Sequence, residues 1–412
     1  MERKTSFKIA VISDLHVEAL DAPEGKDSWL TTSTPDDPYV NPFTALDDLI
    51  EEENLSADIL LNLGDMTTKA SPSAQQYAWK KTEELAKKLK ANSFVGTAGN
   101  HDVDSRCANS DYDVIGGLQA LKPEFPGLDR SYVDQYWSRN YVIHTMDNVR
   151  IVNINSCAFH GYCSENDGKP ASIEKLAEYR RGRISEHTLN RLKEDLESKD
   201  EYEINIAFFH HHPKLIDSYR DKHDYSQMIG GNELIKVLSE SNGSNWLIIH
   251  GHKHWPSLNY HHSSSGIQVI LSAGSLSSKR LHKENMANQF YIIEIESDAL
   301  STYNLPIAGT IHTWNWMTKE KWKASAYEEK IPYGAGFGDS TAPKVVAREI
   351  EQFISKDGKP YYTWGYLKNQ IPSLKYMLPD NIKTTIDILE SKHAISTMLK
   401  PNAYEPHQLA KK

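Results

Sequence analysis

Five short stretches carry residue types that bind metals, and each closes an apolar run. They are Asp14-Leu15-His16, Gly64-Asp65, Gly99-Asn100-His101-Asp102, His210-His211-His212-Pro213 and Gly251-His252-Lys253-His254. Carboxylate oxygen and neutral imidazole nitrogen are good donors to Zn, Fe or Mn, and an amide such as Asn100 offers a neutral carbonyl oxygen. Asp14 and His16 are two residues apart, as are His252 and His254, and such pairs in an extended segment point to one side. A glycine before Asp65, Asn100 and His252 lets the backbone turn or come close to a ligand. Taken singly, each stretch has a plain structural reading. Asp14 can cap the segment after it, and histidines at a strand end can be satisfied by hydrogen bonds. Five such stretches, each behind an apolar run, point to one shared site. The chain's 18 histidines, several of them beside Asp or Asn, favour a metal site over surface scatter.

Periodicity identifies the elements that must position these residues. Apolar runs at 7–13, 58–63, 93–97, 204–209 and 246–250 read as strands, the first of them central and covered on both faces. Helical patterns at 43–53 and 73–91 alternate with the first strands, which is the rhythm of a layered α/β fold. In such folds ligands gather beyond the carboxyl ends of the strands. Residues 141–145 and 148–153 read as an antiparallel pair. Helices are expected at 184–198 and 233–240, further strands at 266–271 and 289–295, and a hairpin turn at 261–266. The irregular stretches 17–42 and 103–140 each follow a polar strand end and read as walls of a pocket. The pattern changes after about residue 301, where Trp314, Trp316, Trp322, Tyr327 and Tyr333 crowd together. The glycines at 331–338 do not match a phosphate-binding P-loop. Helices at 345–354 and 381–399 complete the reading. The expected division is a domain at 1–300 and an extension at 301–412, the latter serving packing or dimerisation around a Trp-rich core.

Composition narrows the classes. The 412 residues are 39% hydrophobic and 25% charged, which suits a globular protein. A net charge of −10 argues against a broadly basic nucleic-acid binder. No apolar run is long enough for a membrane span, and the N-terminus lacks the apolar region of a signal peptide. A cytoplasmic location without a membrane partner is expected. Cys107, Cys157 and Cys163 make neither a disulfide framework nor a CxxC pair.

In this order the five stretches resemble the calcineurin-like metallophosphoesterases, whose signature is DxH, GD, GNH[DE], H and GHxH. The likeness spans residues 7–297. It implies an α/β fold: a four-layered αββα sandwich of two mixed sheets, here with a smaller C-terminal extension. It also implies two divalent or transition metal ions, Mn, Fe or Zn. Asp14, His16 and His254 would hold one metal. Asn100, a histidine of the 210–212 run and His252 would hold the second, and Asp65 would bridge. The position two residues before the proline picks His211, with His210 and His212 as the alternatives. The chemistry is consistent, since two cations ~3.5–4 Å apart repel and a shared carboxylate helps to neutralise both. A hydroxide formed between the metals would attack phosphorus in line. His101 would assist the leaving group, and Asp102 would orient His101.

The implied activity is a metal-dependent phosphoesterase. The patterns GDxHG and GDxxDRG of the Ser/Thr protein phosphatases are missing, so the likeness runs to the cyclic-nucleotide and glycerophosphodiester phosphodiesterases. The expected partner is a phosphate ester, such as a cyclic nucleotide or another small diester. The alternative is a nuclease of the same superfamily acting on DNA or RNA, although no heptad run suggests a coiled-coil partner. A third reading is a non-catalytic scaffold working through the Trp-rich unit. Arg106, close behind the GNHD stretch, is a candidate phosphate contact. A homo-oligomer is compatible with the extension.

Overall fold

The computed structural model describes residues 6–19, 27–105, 107–161, 180–198, 201–215, 226–241, 245–283, 286–305, 307–326, 328, 330–399 and 403–411. Arg106 and Cys163 lie outside the described residues.

Two sheets form the centre. The first has the order β12-β11-β10-β1-β2-β3, with β13 also paired to β11. Its strands are β1 (Ser6–Ile12), β2 (Ile59–Asn62), β3 (Ser93–Gly96), β10 (Asn288–Glu296), β11 (Gly309–Trp316), β12 (Lys323–Ala324) and β13 (Ala335–Phe337). The second has the order β4-β5-β6-β7-β9-β8, built from β4 (Tyr141–Met146), β5 (Val149–Ile154), β6 (Ile204–Phe209), β7 (Trp246–His250), β8 (Ser257–His262) and β9 (Ile267–Ser272). Both sheets are mixed. β1, β2 and β3 are parallel, as are β5, β6, β7 and β9, and antiparallel strands complete the edges.

Alternation along the strands explains the layers. Ile204, Ile206 and Phe208 of β6 enter the core between the sheets, while Ala207 and Phe209 face a second core. β7 divides in the same way, with Leu247 and Ile249 inward and Trp246 and Ile248 outward. The outward core is closed by Leu189, Leu192 and Leu196 of the helix Glu186–Glu197 and by Leu234, Ile235 and Leu238 of the helix Gly231–Glu240. Successive side chains of a strand point to opposite faces, so apolar runs without alternation are what a sheet covered on both faces requires. The helices Pro42–Glu53 and Pro72–Lys88 bury Leu46, Leu49, Ile50, Ala78, Trp79 and Leu85 in the core shared with the first sheet. The result is the expected four layers. The first of these helices starts where the Asn41 side chain accepts hydrogen bonds from the amides of Phe43 and Thr44, with Pro42 in the first turn. Among the described residues no helix is long and apolar enough to cross a membrane.

The expected division at residue 300 falls between two neighbouring strands of one sheet. β11 pairs with β10 along eight positions, from Asn288 opposite Trp316 to Ile295 opposite Gly309. Trp314, Trp316 and Trp322 therefore lie in the first core, not in a core of the extension. A separate core begins at Val346 and gathers Ile350, Trp364, Leu367, Ile382, Ile386, Leu389 and Leu409. Its order is helix Pro343–Asp357, β14 (Tyr361–Thr363), helix Trp364–Gln370, a short turn of helix, helix Pro379–Lys392, β15 (Ile395–Leu399) and β16 (Pro406–Lys411). The last helix stops earlier than periodicity suggests. Ala394 takes a left-handed φ of 52° and turns the chain into β15.

The C-terminal unit is pinned to the sheets at named points. Glu296, at the end of β10, holds Lys375 at 2.7 Å and accepts the Tyr376 hydroxyl at 2.8 Å. The Tyr260 hydroxyl on β8 accepts the Gly338 amide at 2.8 Å and donates to the Asp339 carbonyl at 3.2 Å. A cavity of about 280 Å³ opens along this seam, two residues beyond His254, lined by Pro256, Leu258, Lys330, Ile331, Leu378 and Pro379 among others.

Candidate metal centre

The carboxyl ends of the parallel strands of both sheets open on the same side, and every motif residue lies in a turn there. These turns are tied to one another by backbone. The Asp14 amide donates to the Gly64 carbonyl at 3.0 Å, and the His16 amide to the Asp65 carbonyl at 2.9 Å. The Gly251 amide donates to the His210 carbonyl at 3.0 Å. The ring of His210 reaches across to the other sheet, where Nδ1 donates to the Leu63 carbonyl at 2.8 Å.

Left-handed backbone concentrates here. Asp14, His16, Asp65, His252 and His254 have φ values of 53°, 47°, 51°, 79° and 54°. A non-glycine residue in that region costs on the order of 1–3 kcal/mol and persists only where its surroundings hold it. The finding corrects the extended geometry expected of the HxH and DxH pairs. Within each pair the chain turns, and His252 and His254 serve different clusters of one pocket. Glycine 99 is required by contact: a Cβ there would lie 2.1 Å from the Asp65 amide nitrogen and 2.2 Å from its Oδ1.

The first cluster is Asp14, His16 and His254. His254 Nε2 lies 3.3 Å from Asp14 Oδ1 and 2.9 Å from His16 Nε2. The second centres on His210 Nε2, which is 3.2 Å from Asn100 Oδ1 and 3.3 Å from His252 Nδ1. Asp65 stands between them. Its Oδ2 is 3.8 Å from His16 Nε2 and 3.2 Å from His210 Nε2. Such spacings fit donors on a common cation, because nitrogens ~2.0–2.1 Å from a tetrahedral ion sit roughly 3.3 Å apart.

The clustered carboxylates and imidazoles shift one another's titration in both directions. Burial drives His16 down to about 3 against the pull of Asp65, and it drives His252 well below its usual value, so both rings offer lone pairs. Burial also lowers His210, but the Asp65 carboxylate beside it outweighs that and lifts it to about 9. The carboxyls of Asp14 and Asp65 are raised by burial, yet their histidine neighbours carry both below the ordinary range.

The residue of the 210–212 run that meets Asp65 and Asn100 is His210, whereas the proline spacing picks His211. His211 lies beside it, with a ring nitrogen close enough to those of His210 and His252 for the three to share an ion. Its Nδ1 is 2.9 Å from the Ser156 hydroxyl, its ring centroid is 4.5 Å from that of His252, and its Nε2 is buried without a hydrogen-bond partner among the described residues. His212 stacks on His252 with centroids 5.6 Å apart. His101 stands at the rim, exposed, with its amide donating to Asp65 Oδ1 at 2.8 Å and its Nδ1 donating to the Thr68 carbonyl at 2.7 Å. Thr68 therefore orients the His101 ring, the part expected of Asp102. Asp102 ties two turns instead, accepting the amides of Thr67 and Gly99, each at 3.0 Å. Sequence reasoning also missed Ser13, whose hydroxyl donates to Asp14 Oδ2 at 2.5 Å, and Ser275, which donates to the Asp14 carbonyl at 2.6 Å. Only the place of Ser13 beside Asp14 hinted at its part.

A family model described as calcineurin-like phosphoesterase matches residues 7–256. The chain belongs to this family. A second model, described as wHTH-Calcineurin_assc, matches residues 335–391 of this phosphoesterase. No curated protein matches it. Among solved structures it is similar to a dimetal phosphatase from Danio rerio at 14% identity, covering 80% of this chain and 99% of that one, with a TM-score of 0.46. It is also similar to the purple acid phosphatase PPD1 of yellow lupin (Lupinus luteus) at 10% identity, 76% and 52% coverage and a TM-score of 0.45. A phosphopantetheinyl hydrolase from Mycobacterium tuberculosis shares 11% identity over 68% of this phosphoesterase and 93% of its own chain, at a TM-score of 0.34.

Proposed function

We propose that this phosphoesterase hydrolyses phosphodiesters at a centre of two transition-metal cations. Asp14, His16 and His254 hold one cation, Asn100, His210 and His252 the other, and Asp65 serves both. The carrying observation is the position of Asp65 Oδ2, 3.8 Å from a nitrogen of one cluster and 3.2 Å from a nitrogen of the other. His210 replaces His211 in this assignment because its Nδ1 is engaged by the Leu63 carbonyl, which aims Nε2 at Asp65 and Asn100. When bound, two such cations polarise phosphoryl oxygens and bring the pKa of water towards neutrality.

The chain's own residues do the rest. Asp65 offsets the mutual repulsion of the two charges. Ser13 and Ser275 hold Asp14 from its side chain and its carbonyl. His101, with Nδ1 fixed on Thr68, presents Nε2 as the atom that protonates the leaving alkoxide. Elemental analysis with turnover of bis-nitrophenyl phosphate tests the reading. Asp65→Asn neutralises the shared carboxylate and is expected to lose most of one metal equivalent and nearly all turnover. An active Asp65→Asn protein carrying both metals in full would overturn the assignment.

A nuclease is the second reading. It is favoured by the wHTH match and by the helices and small sheet of the C-terminal unit. A nicking assay on single- and double-stranded DNA separates it from a small-diester enzyme.

A further inference from the structure

Beside the second cluster lies another group of donors; one of them, His211, also stands within reach of His210 and His252, and the assignment proposed above leaves all three unused. Cys157 and His160 follow β5, and His211 follows β6. Their relative exposures are 2%, 2% and 0%, and one donor atom from each lies within 4.8 Å of the others. Cys157 Sγ is 4.0 Å from His211 Nδ1, and the rings of His160 and His211 meet edge-on with centroids 5.5 Å apart.

We propose that Cys157, His160 and His211 form a third metal site, selective for a thiophilic divalent cation such as Zn²⁺. One thiolate and two imidazoles are a donor set that suits zinc and leaves a fourth position for a further oxygen. The Ser156 hydroxyl, 2.9 Å from His211 Nδ1, is the oxygen at hand. His160 is oriented as metal-binding histidines are: Nε2 donates to the Arg181 carbonyl at 2.9 Å, which leaves the lone pair of the neutral ring on Nδ1. His211 is held from its backbone, whose amide donates to Ser156 Oγ at 3.3 Å. The Cys157 thiol donates to the Ala98 carbonyl at 3.2 Å. On binding, the S–H bond breaks, its proton leaves to solvent and the sulfur pair goes to the cation. The site would clamp the turns after β5 and β6 directly beneath His210, whose ring meets that of His211 at 4.9 Å.

Cobalt reads this site separately from the dinuclear centre, because a thiolate on Co²⁺ gives a charge-transfer absorption in the near ultraviolet and the dinuclear cluster offers no sulfur. The full chain is stripped and titrated with Co²⁺, with metal content followed by elemental analysis. About three equivalents with the thiolate band are expected for the unaltered protein, in line with deprotonation of the cysteine on binding. Cys157→Ser and His160→Gln should each lose the band and roughly one equivalent. Cys107→Ser and Cys163→Ser should keep both, and so should the band in Asp65→Asn, which damages only the dinuclear centre. An unaltered protein that binds two equivalents, turns over diester and shows no thiolate band would overturn the third site while leaving the proposed function standing. A band that survives Cys157→Ser would overturn it as well.

Discussion

At the residue scale, His101 is the side chain whose role can be separated most cleanly from metal binding. Its Nδ1 is spent on Thr68, and its amide on Asp65. Proton donation of this kind is worth ~10²–10⁴-fold and depends on the leaving group. A nitrophenolate leaves as a stable anion, whereas a ribose or glycerol alkoxide needs the proton. His101→Ala should therefore keep both metals and lose more activity on an alkyl diester than on bis-nitrophenyl phosphate. His252→Ala should lose metal and slow both substrates alike. Rates on the two substrates, with metal content for each variant, check this. Equal losses in a fully metallated His101→Ala would leave phosphate positioning as its role.

At the scale of the elements, the centre depends on how closely the turns after β2 and β3 approach. Gly99 marks that approach, since its Cα faces the Asp65 backbone with no room for a methyl group. Gly99→Ala must push apart two segments that each carry a metal-facing residue. Overpacking of this kind typically costs ~1–3 kcal/mol. The variant should unfold at lower denaturant and bind metal more weakly. Gly358→Ala is the control, because a Cβ there meets nothing within 4 Å and its strain comes only from a φ of 71°. Its stability should fall while metal content holds.

For the whole molecule, the two cores predict where the chain can be cut. The strands β11 to β13 complete the first sheet, and the separate core starts only at Val346. Truncation after residue 342 should leave a soluble, metallated protein active on a small diester. Truncation after residue 300 strips β11 from β10 and bares the edge of an apolar strand, so insolubility is expected. Size-exclusion chromatography and metal analysis of the two truncations decide the matter. A soluble and fully metallated 342 truncation without turnover would mean that the C-terminal unit contributes to the site. The seam cavity lined by Pro256, Lys330 and Leu378 would then be the place to look.

Much of the centre was legible because chemistry restricts residue types. Asp14, His16, Asp65, Asn100, His252 and His254 stand at the ends of apolar runs, and those runs are strands whose carboxyl ends open together. The four layers followed from the same runs, since a strand apolar on both faces must be covered twice. Sequence alone does not choose between His210 and His211, and the proposed choice of His210 rests on the fold. Adjacent histidines are chemically identical, and the choice depends on which ring the Leu63 carbonyl meets across the gap between sheets. Asp102 and Thr68 exchanged their expected parts for a similar reason, because a backbone carbonyl is present at every position and leaves no mark in a sequence. The place of β11 was hidden by its tryptophans, which read as a cluster until pairing with β10 set them into the first core. Cys157, His160 and His211 were the least visible. They come from two segments more than fifty residues apart, and only the parallel pairing of β5 with β6 brings their turns side by side.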